Sequence, residues 1–169
     1  QGKGRVVLQT FDKASLEALQ NEMPNTPKIL LLWVGEGGIE PKSKVTFAES
    51  GEPTKAAYYA KQEPKDAAEF EKWVDEAKSL GATGTGPSAE LTDHGDQSYT
   101  DLVKPEMNKL THDKGLLVHV YTVDEPVDFE KVMKAGVDGI FTNRAAELLK
   151  LYKRWPSSSV QDLLNDHKY

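Results

Sequence analysis

The chain has 169 residues, 38% hydrophobic and 28% charged, enough for one domain with a real core and short for two. Its formal net charge is −6, with acids and bases interspersed and no basic block, which argues against nucleic acid or an anionic lipid surface as a partner. With no cysteine, disulfides, thiolate nucleophiles and Cys-type zinc are excluded, while the redox compartment stays open.

The first apolar run, RVVLQTF (5–11), reads as a strand, and a helix follows with Asp12 as its cap and Leu16, Leu19 and Met23 at helical spacing. Pro24 ends that helix, and ILLLWV (29–34) is apolar on both faces, as strands of a parallel sheet are. The stretch 35–62 is rich in glycine and proline and reads as a long loop that packs through Val45, Phe47, Tyr58 and Tyr59. A helix over PKDAAEFEKWVDEAKSLG puts Phe70, Trp73, Val74, Ala77 and Leu80 on one stripe closed by Gly81. ATGTGPS is a short, weak strand, with Gly84 and Gly86 read as a tight turn rather than a dinucleotide fingerprint.

The segment SYTDLVKPEMNKLTHDKG is amphipathic, with Leu102, Val103, Met107 and Leu110 inward; Pro105 makes the helix start late or bend. LLVHVYTV and VDGIFTN are strands on either side of the helix EPVDFEKVMKAG, and RAAELLKLYKRW is a last helix before Pro156. The residues after it, 156–169, read as a short docked helix that frays beyond Asn165. Five strand-like segments alternating with helices make an α/β chain with a parallel sheet.

Such sheets present ligand groups at the C-terminal ends of their strands. The candidate rim is therefore Thr10-Phe11, Trp33-Val34, Pro87-Ser88, Tyr121-Thr122-Val123 and Thr142-Asn143. Of the acids near it, Asp12 reads as a helix cap, Asp124 and Glu125 as caps or catalytic groups alike, and Glu36 lies in the loop. None has metal-ligand spacing. His119 is the histidine inside a strand and reads as a satisfied core residue; His112 and His167 read as solvated, and His94 lies in the DHGDQ loop. No Ser-His-Asp spacing is present. The residues alone give half of a site: aromatics and small polar groups without nucleophile, base or metal cluster.

RVVLQTFD, GPS, KGLLVHVYTVDEP and AGVDGIFTN, in that order, resemble the second part of the glycerophosphodiester phosphodiesterase family, in its periplasmic or secreted branch. The resemblance covers about residues 5 to 150, and the last two segments are its most specific part. It implies a (β/α)8 barrel of the TIM type, of which residues 1–155 would supply five βα units, strands four to eight. A complete barrel usually takes about 250 residues. It also implies hydrolysis of glycerophosphodiesters to an alcohol and glycerol 3-phosphate, with a divalent calcium or magnesium ion. The family carries its histidines, metal carboxylates and phosphate lysine in an early HRG motif, an ExD pair, an HD motif and a later ExK strand; HRG and ExD do not occur in this chain, and none of its predicted strands carries HD or ExK. The resemblance therefore implies no catalytic residue and no metal ligand in this chain. Phe11 matches the aromatic of the family's SFD motif, and Tyr121 stands where many members have the Trp of a WTV motif. Both would line the glycerol pocket, with Trp33 on the same wall. The family's TDxP ending reads TNRA, with Asn143 and Ala145 in place of Asp and Pro.

The expectation is then the C-terminal part of such an enzyme, inactive without the rest of its barrel. An alternative of another class is a non-catalytic partial barrel acting as a binding or assembly module, completed by a partner chain or by self-association. A third is another α/β enzyme with a site the residues do not reveal. The branch implies a periplasmic or secreted setting. No apolar run approaches the roughly 20 residues of a membrane helix, and QGKGRVV has no signal-peptide core, although a leader removed before Gln1 would leave no trace.

Overall fold

A computed structural model of the chain describes residues 6–34, 45–91 and 101–154. The tail 156–169, Glu36, His94 and His167 lie outside the described residues. Five parallel strands, β1 (Leu8–Thr10), β2 (Lys28–Leu32), β3 (Gly84–Pro87), β4 (Leu117–Val120) and β5 (Gly139–Ile140), form one sheet in chain order. Sequential parallel strands with right-handed crossovers put their helices on one face, as in a barrel. A doubly wound sheet, whose order reverses, covers both faces. The result is a curled half-barrel, the α/β architecture with five βα units.

The helices α1 (Lys13–Glu22), α4 (Ala67–Ser79) and α5 (Pro105–Asp113) form where the apolar spacing predicts them. Asp12 caps α1, its Oδ1 accepting from Ser15 N at 2.6 Å, and Asp66 caps α4 in the same way. Their inward stripes, Leu16, Phe70, Val74 and Ala77, close over Leu30 and Leu32 of β2 in the main core. A second cluster joins Val120, Val123, Phe129 and Val132, carried by β4, its exit loop and α6 (Pro126–Lys134). The last helix, α7 (Ala145–Leu151), has no buried residue.

Three expectations change. First, α5 starts at Pro105, the late start of the two options, because proline suits a first helical turn that has no donor to satisfy. Leu102 and Val103 are buried before the helix begins, not on its face. Second, the loop after β2 contains α2 (Phe47–Ser50) and α3 (Lys55–Ala60). Tyr58 and Tyr59 pack on Val34, as predicted, while Val45 stays exposed and accepts the Tyr58 hydroxyl through its carbonyl at 2.6 Å.

Third, Gly84 and Gly86 are ordinary extended residues of β3, not a tight turn; neither has a positive φ. A Cβ at Gly84 would lie 2.6 Å from the Leu117 carbonyl oxygen and 2.8 Å from Ile29 Cδ1. One at Gly86 would lie 2.5 Å from Leu31 Cδ2. Glycine is required here because neighbouring strands approach too closely for a side chain.

Candidate functional site

Alternation and register sort the strands into two faces. Thr10, Leu30, Thr85 and Val118 pair in register on the helix-covered side, so Gln9, Ile29, Leu31, Gly84, Gly86, Leu117, His119 and Gly139 line the inner side. Continuing each inner row past the strand ends brings Phe11, Trp33, Ser88, Tyr121 and Phe141 to the C-terminal rim. The three aromatics predicted to form one wall do meet there. The Phe11 ring stands edge-on to Tyr121 at 5.5 Å and 87°, and to Trp33 at 6.0 Å and 60°. Edge-to-face contacts of this kind place a positive ring edge on a negative ring face.

Phe11 is the open member, 37% exposed. Trp33 and Tyr121 are half-buried. The Tyr121 hydroxyl points at the Leu32 carbonyl oxygen from 3.5 Å, the outer limit of a hydrogen bond. Burial pushes its phenol above the usual range. Tyr121 is therefore a neutral donor and apolar surface at physiological pH, not a base.

The other predicted rim residues divide. Thr10 is used in the turn into α1: its Oγ1 accepts from Asp12 N at 3.1 Å. Val34 and Val123 are buried in core clusters and line no site. Ser88 is buried opposite Tyr121, and its backbone N donates to the Leu32 carbonyl oxygen at 2.9 Å.

Asp124 and Glu125, open between capping and catalysis, cap α6 with neither side chain. Asp124 Oδ1 accepts from Thr142 Oγ1 at 2.9 Å and from Asn143 N at 2.7 Å, while its Oδ2 accepts from Asn143 Nδ2 at 2.9 Å. Glu125 pairs with Arg144 at 3.2 Å. Desolvation alone would raise the Asp124 carboxyl, but the Asn143 and Thr142 hydrogen bonds together with nearby Arg144 outweigh it and hold the group below the usual carboxylate range.

Among the histidines, His119 is half-buried on the inner face, its ring 6.0 Å from Phe141 and packed over Gly139. Burial lowers its pKa against the opposing field of Asp138, which fits a neutral core imidazole. His112, read as solvated, is partly exposed but shares Asp138: its Nε2 lies 2.7 Å from Oδ2, which also accepts from Val118 N at 2.8 Å. Asp138 precedes β5 and Val118 is the second residue of β4, so this pair sits at the end of the sheet opposite the rim. Reading the residues alone missed Phe141 as an extension of the aromatic surface. The alternation of Gly139 and Phe141 was the signal that could have found it.

Among the described residues no three of His, Asp or Glu gather into a group that could hold a metal ion. The described side chains therefore offer no set of ligands for the divalent ion implied by the resemblance. The rim can stack against and orient an apolar or polyol group.

The family model described as "Glycerophosphoryl diester phosphodiesterase family" matches residues 1–147. The chain is 27% identical over 140 residues to a glycerophosphodiester phosphodiesterase of Bacillus subtilis (strain 168), a match covering 83% of this chain and 34% of that protein. In fold it is similar to the 1.60 Å crystal structure of a putative glycerophosphoryl diester phosphodiesterase from Silicibacter pomeroyi DSS-3, with a TM-score of 0.53 and 23% identity, over 89% of this chain and 40% of that one. The chain thus spans about a third of the length of the curated relative. With a family model that runs through nearly all five βα units, the chain belongs to the glycerophosphoryl diester phosphodiesterase family.

Proposed function

We propose that this chain is the C-terminal part of a phosphodiesterase that splits glycerophosphodiesters into an alcohol and glycerol 3-phosphate, and that it supplies one wall of the substrate pocket. The observation that carries this reading is the meeting of Phe11, Trp33 and Tyr121 at the rim where barrel enzymes of this architecture bind their ligands. Tyr121 and Phe11 would stack on the glycerol moiety, Trp33 closing the same side. Acid–base groups, the carboxylates for a calcium or magnesium ion and the phosphate lysine would come from the other βα units of the parent. The ion, when bound, would neutralise charge that develops on the phosphoryl oxygens. A periplasmic or secreted setting and a role in lipid-derived glycerol metabolism go with this reading.

The alternative, a non-catalytic module completed by a partner chain or by self-association, draws on apolar residues left exposed before β1 and around α7. Val6 and Val7 lie beside β1, and Leu149, Leu151 and Tyr152 lie on or just after α7. One experiment separates the two. The intact mass and upstream reading frame are determined, and the chain and the full-frame protein are assayed with glycerophosphocholine, with and without EDTA. The enzyme reading expects EDTA-sensitive release of glycerol 3-phosphate by the full-frame protein and none by the chain. Absence of hydrolysis by both, with a defined oligomer in solution, would favour the module.

A further inference from the structure

At the rim, Asp124 accepts three hydrogen bonds. Asp124 is three residues beyond Tyr121 in the exit loop of β4, and its three donors all belong to the exit loop of β5, two of them on Asn143. The same two loops are joined by Val123 N donating to the Phe141 carbonyl oxygen at 2.9 Å and by the Glu125–Arg144 ion pair. Thr142 Oγ1 in turn accepts from Arg144 N at 2.9 Å, so the β5 loop is folded around the carboxylate. Tyr121 lies three residues before Asp124 and Phe141 directly before Thr142, and both are inward aromatics of these loops.

From this we infer that Asp124 is a positioning residue: its carboxylate, through Asn143 and Thr142, fixes the exit loops of β4 and β5 against each other and so sets where Tyr121 and Phe141 stand on the inner wall. It touches no reacting group. Position 143, where the resemblance expects an acid, holds an amide, and the carboxylate stands on the other side of the same hydrogen bond. One side of this contact must be an amide and the other a carboxylate, because two carboxylates at 2.9 Å repel and two amides must find a new orientation.

The test uses the chain itself and reads side-chain positions, not hydrolysis, so its failure is distinct from failure of the phosphodiesterase reading. Asn143→Asp, Asp124→Asn and the double swap are compared by NMR, following exchange of the backbone amide proton at position 143 and the ring resonances of Tyr121 and Phe141. Asn143→Asp should speed that exchange by at least about tenfold, since repulsion between the two carboxylates draws Asp124 away from the backbone N–H at 143, and should shift both rings. Asp124→Asn should do less, because Oδ1 still accepts from Thr142 and Asn143 N. The double swap should return exchange to within about twofold of the wild type. Rings that stay at wild-type positions in Asn143→Asp would overturn the inference. If that variant does not fold, the double swap decides: recovery of the native spectrum supports the clamp, and loss of it while Asp124→Asn stays native overturns it.

Discussion

The helix-covered face and the inner face are built from alternate residues of the same strands, and they are finished very differently. On the helix-covered side Leu16, Phe70, Val74 and Ala77 close over Leu30 and Leu32, each at most 2% exposed. On the inner side Ile29 and Leu31 of β2 are covered, but Leu117 is 45% and Phe11 37% exposed, and His119 is only half-covered. Between them, at β3, the inner surface is tight because Gly84 and Gly86 let β2 and β4 approach. The first face makes the chain fold; the second is a surface that an eight-stranded barrel would bury and whose rim a barrel enzyme would use.

Substitutions on the two faces should separate them. Phe70→Ala leaves a cavity in the main core and should cost about 3–5 kcal/mol in urea unfolding. Leu117→Ala removes a similarly apolar side chain and should cost less than about 1 kcal/mol. Equal losses would mean that the inner face is covered in solution. Gly84→Ala should cost roughly 1–3 kcal/mol, since backbone as well as Ile29 must yield to the methyl group. An unchanged midpoint would show that β3 has room and would remove the packing reason for glycine.

The dependence on pH sharpens the contrast further. The folded state holds the His119 pKa below its usual 6.5, so between the two values the unfolded chain binds the extra proton and stability falls as pH is lowered from about 6.5. His119→Gln should flatten this loss in urea titrations. The Asp124 carboxyl is also depressed, and as an acid its contribution is present above the unfolded carboxylate range and lost as pH falls through the lower folded value. The smallest effect is expected for Tyr121→Phe: the hydroxyl contact is long, the ring stays edge-on to Phe11, and stability should change by less than about 1 kcal/mol.

The parts of the fold legible in the sequence are those carried by a period. The stripes on α1 and α4, the doubly apolar β2 and the Asp12 cap are local patterns; the rule that ligands sit at strand ends put Phe11, Trp33 and Tyr121 among the rim residues, and the family resemblance singled them out as one wall. The two short helices after β2 span four and six residues, too few for a stripe to show. A local signal existed all the same: Thr46 and Glu49 form a capping box, which a T-x-x-E spacing announces. Gly84 and Gly86 misled because a glycine required by a neighbour's approach reads the same as one required by a turn. The Asp124 clamp was not legible at all, since its partners lie 18 and 19 residues away and only the adjacency of β4 and β5 joins them.

The aromatic rim as substrate wall is tested most directly in the protein encoded by the full reading frame. Steady-state hydrolysis of glycerophosphocholine is measured for the wild type, Tyr121→Ala and Phe11→Ala. The account predicts that kcat/KM falls by about tenfold or more in both, mainly through KM, because a stacking surface for the glycerol moiety is lost. Values of kcat/KM within about twofold of the wild type in both variants would contradict it and leave the three aromatics as a plug at the top of the sheet.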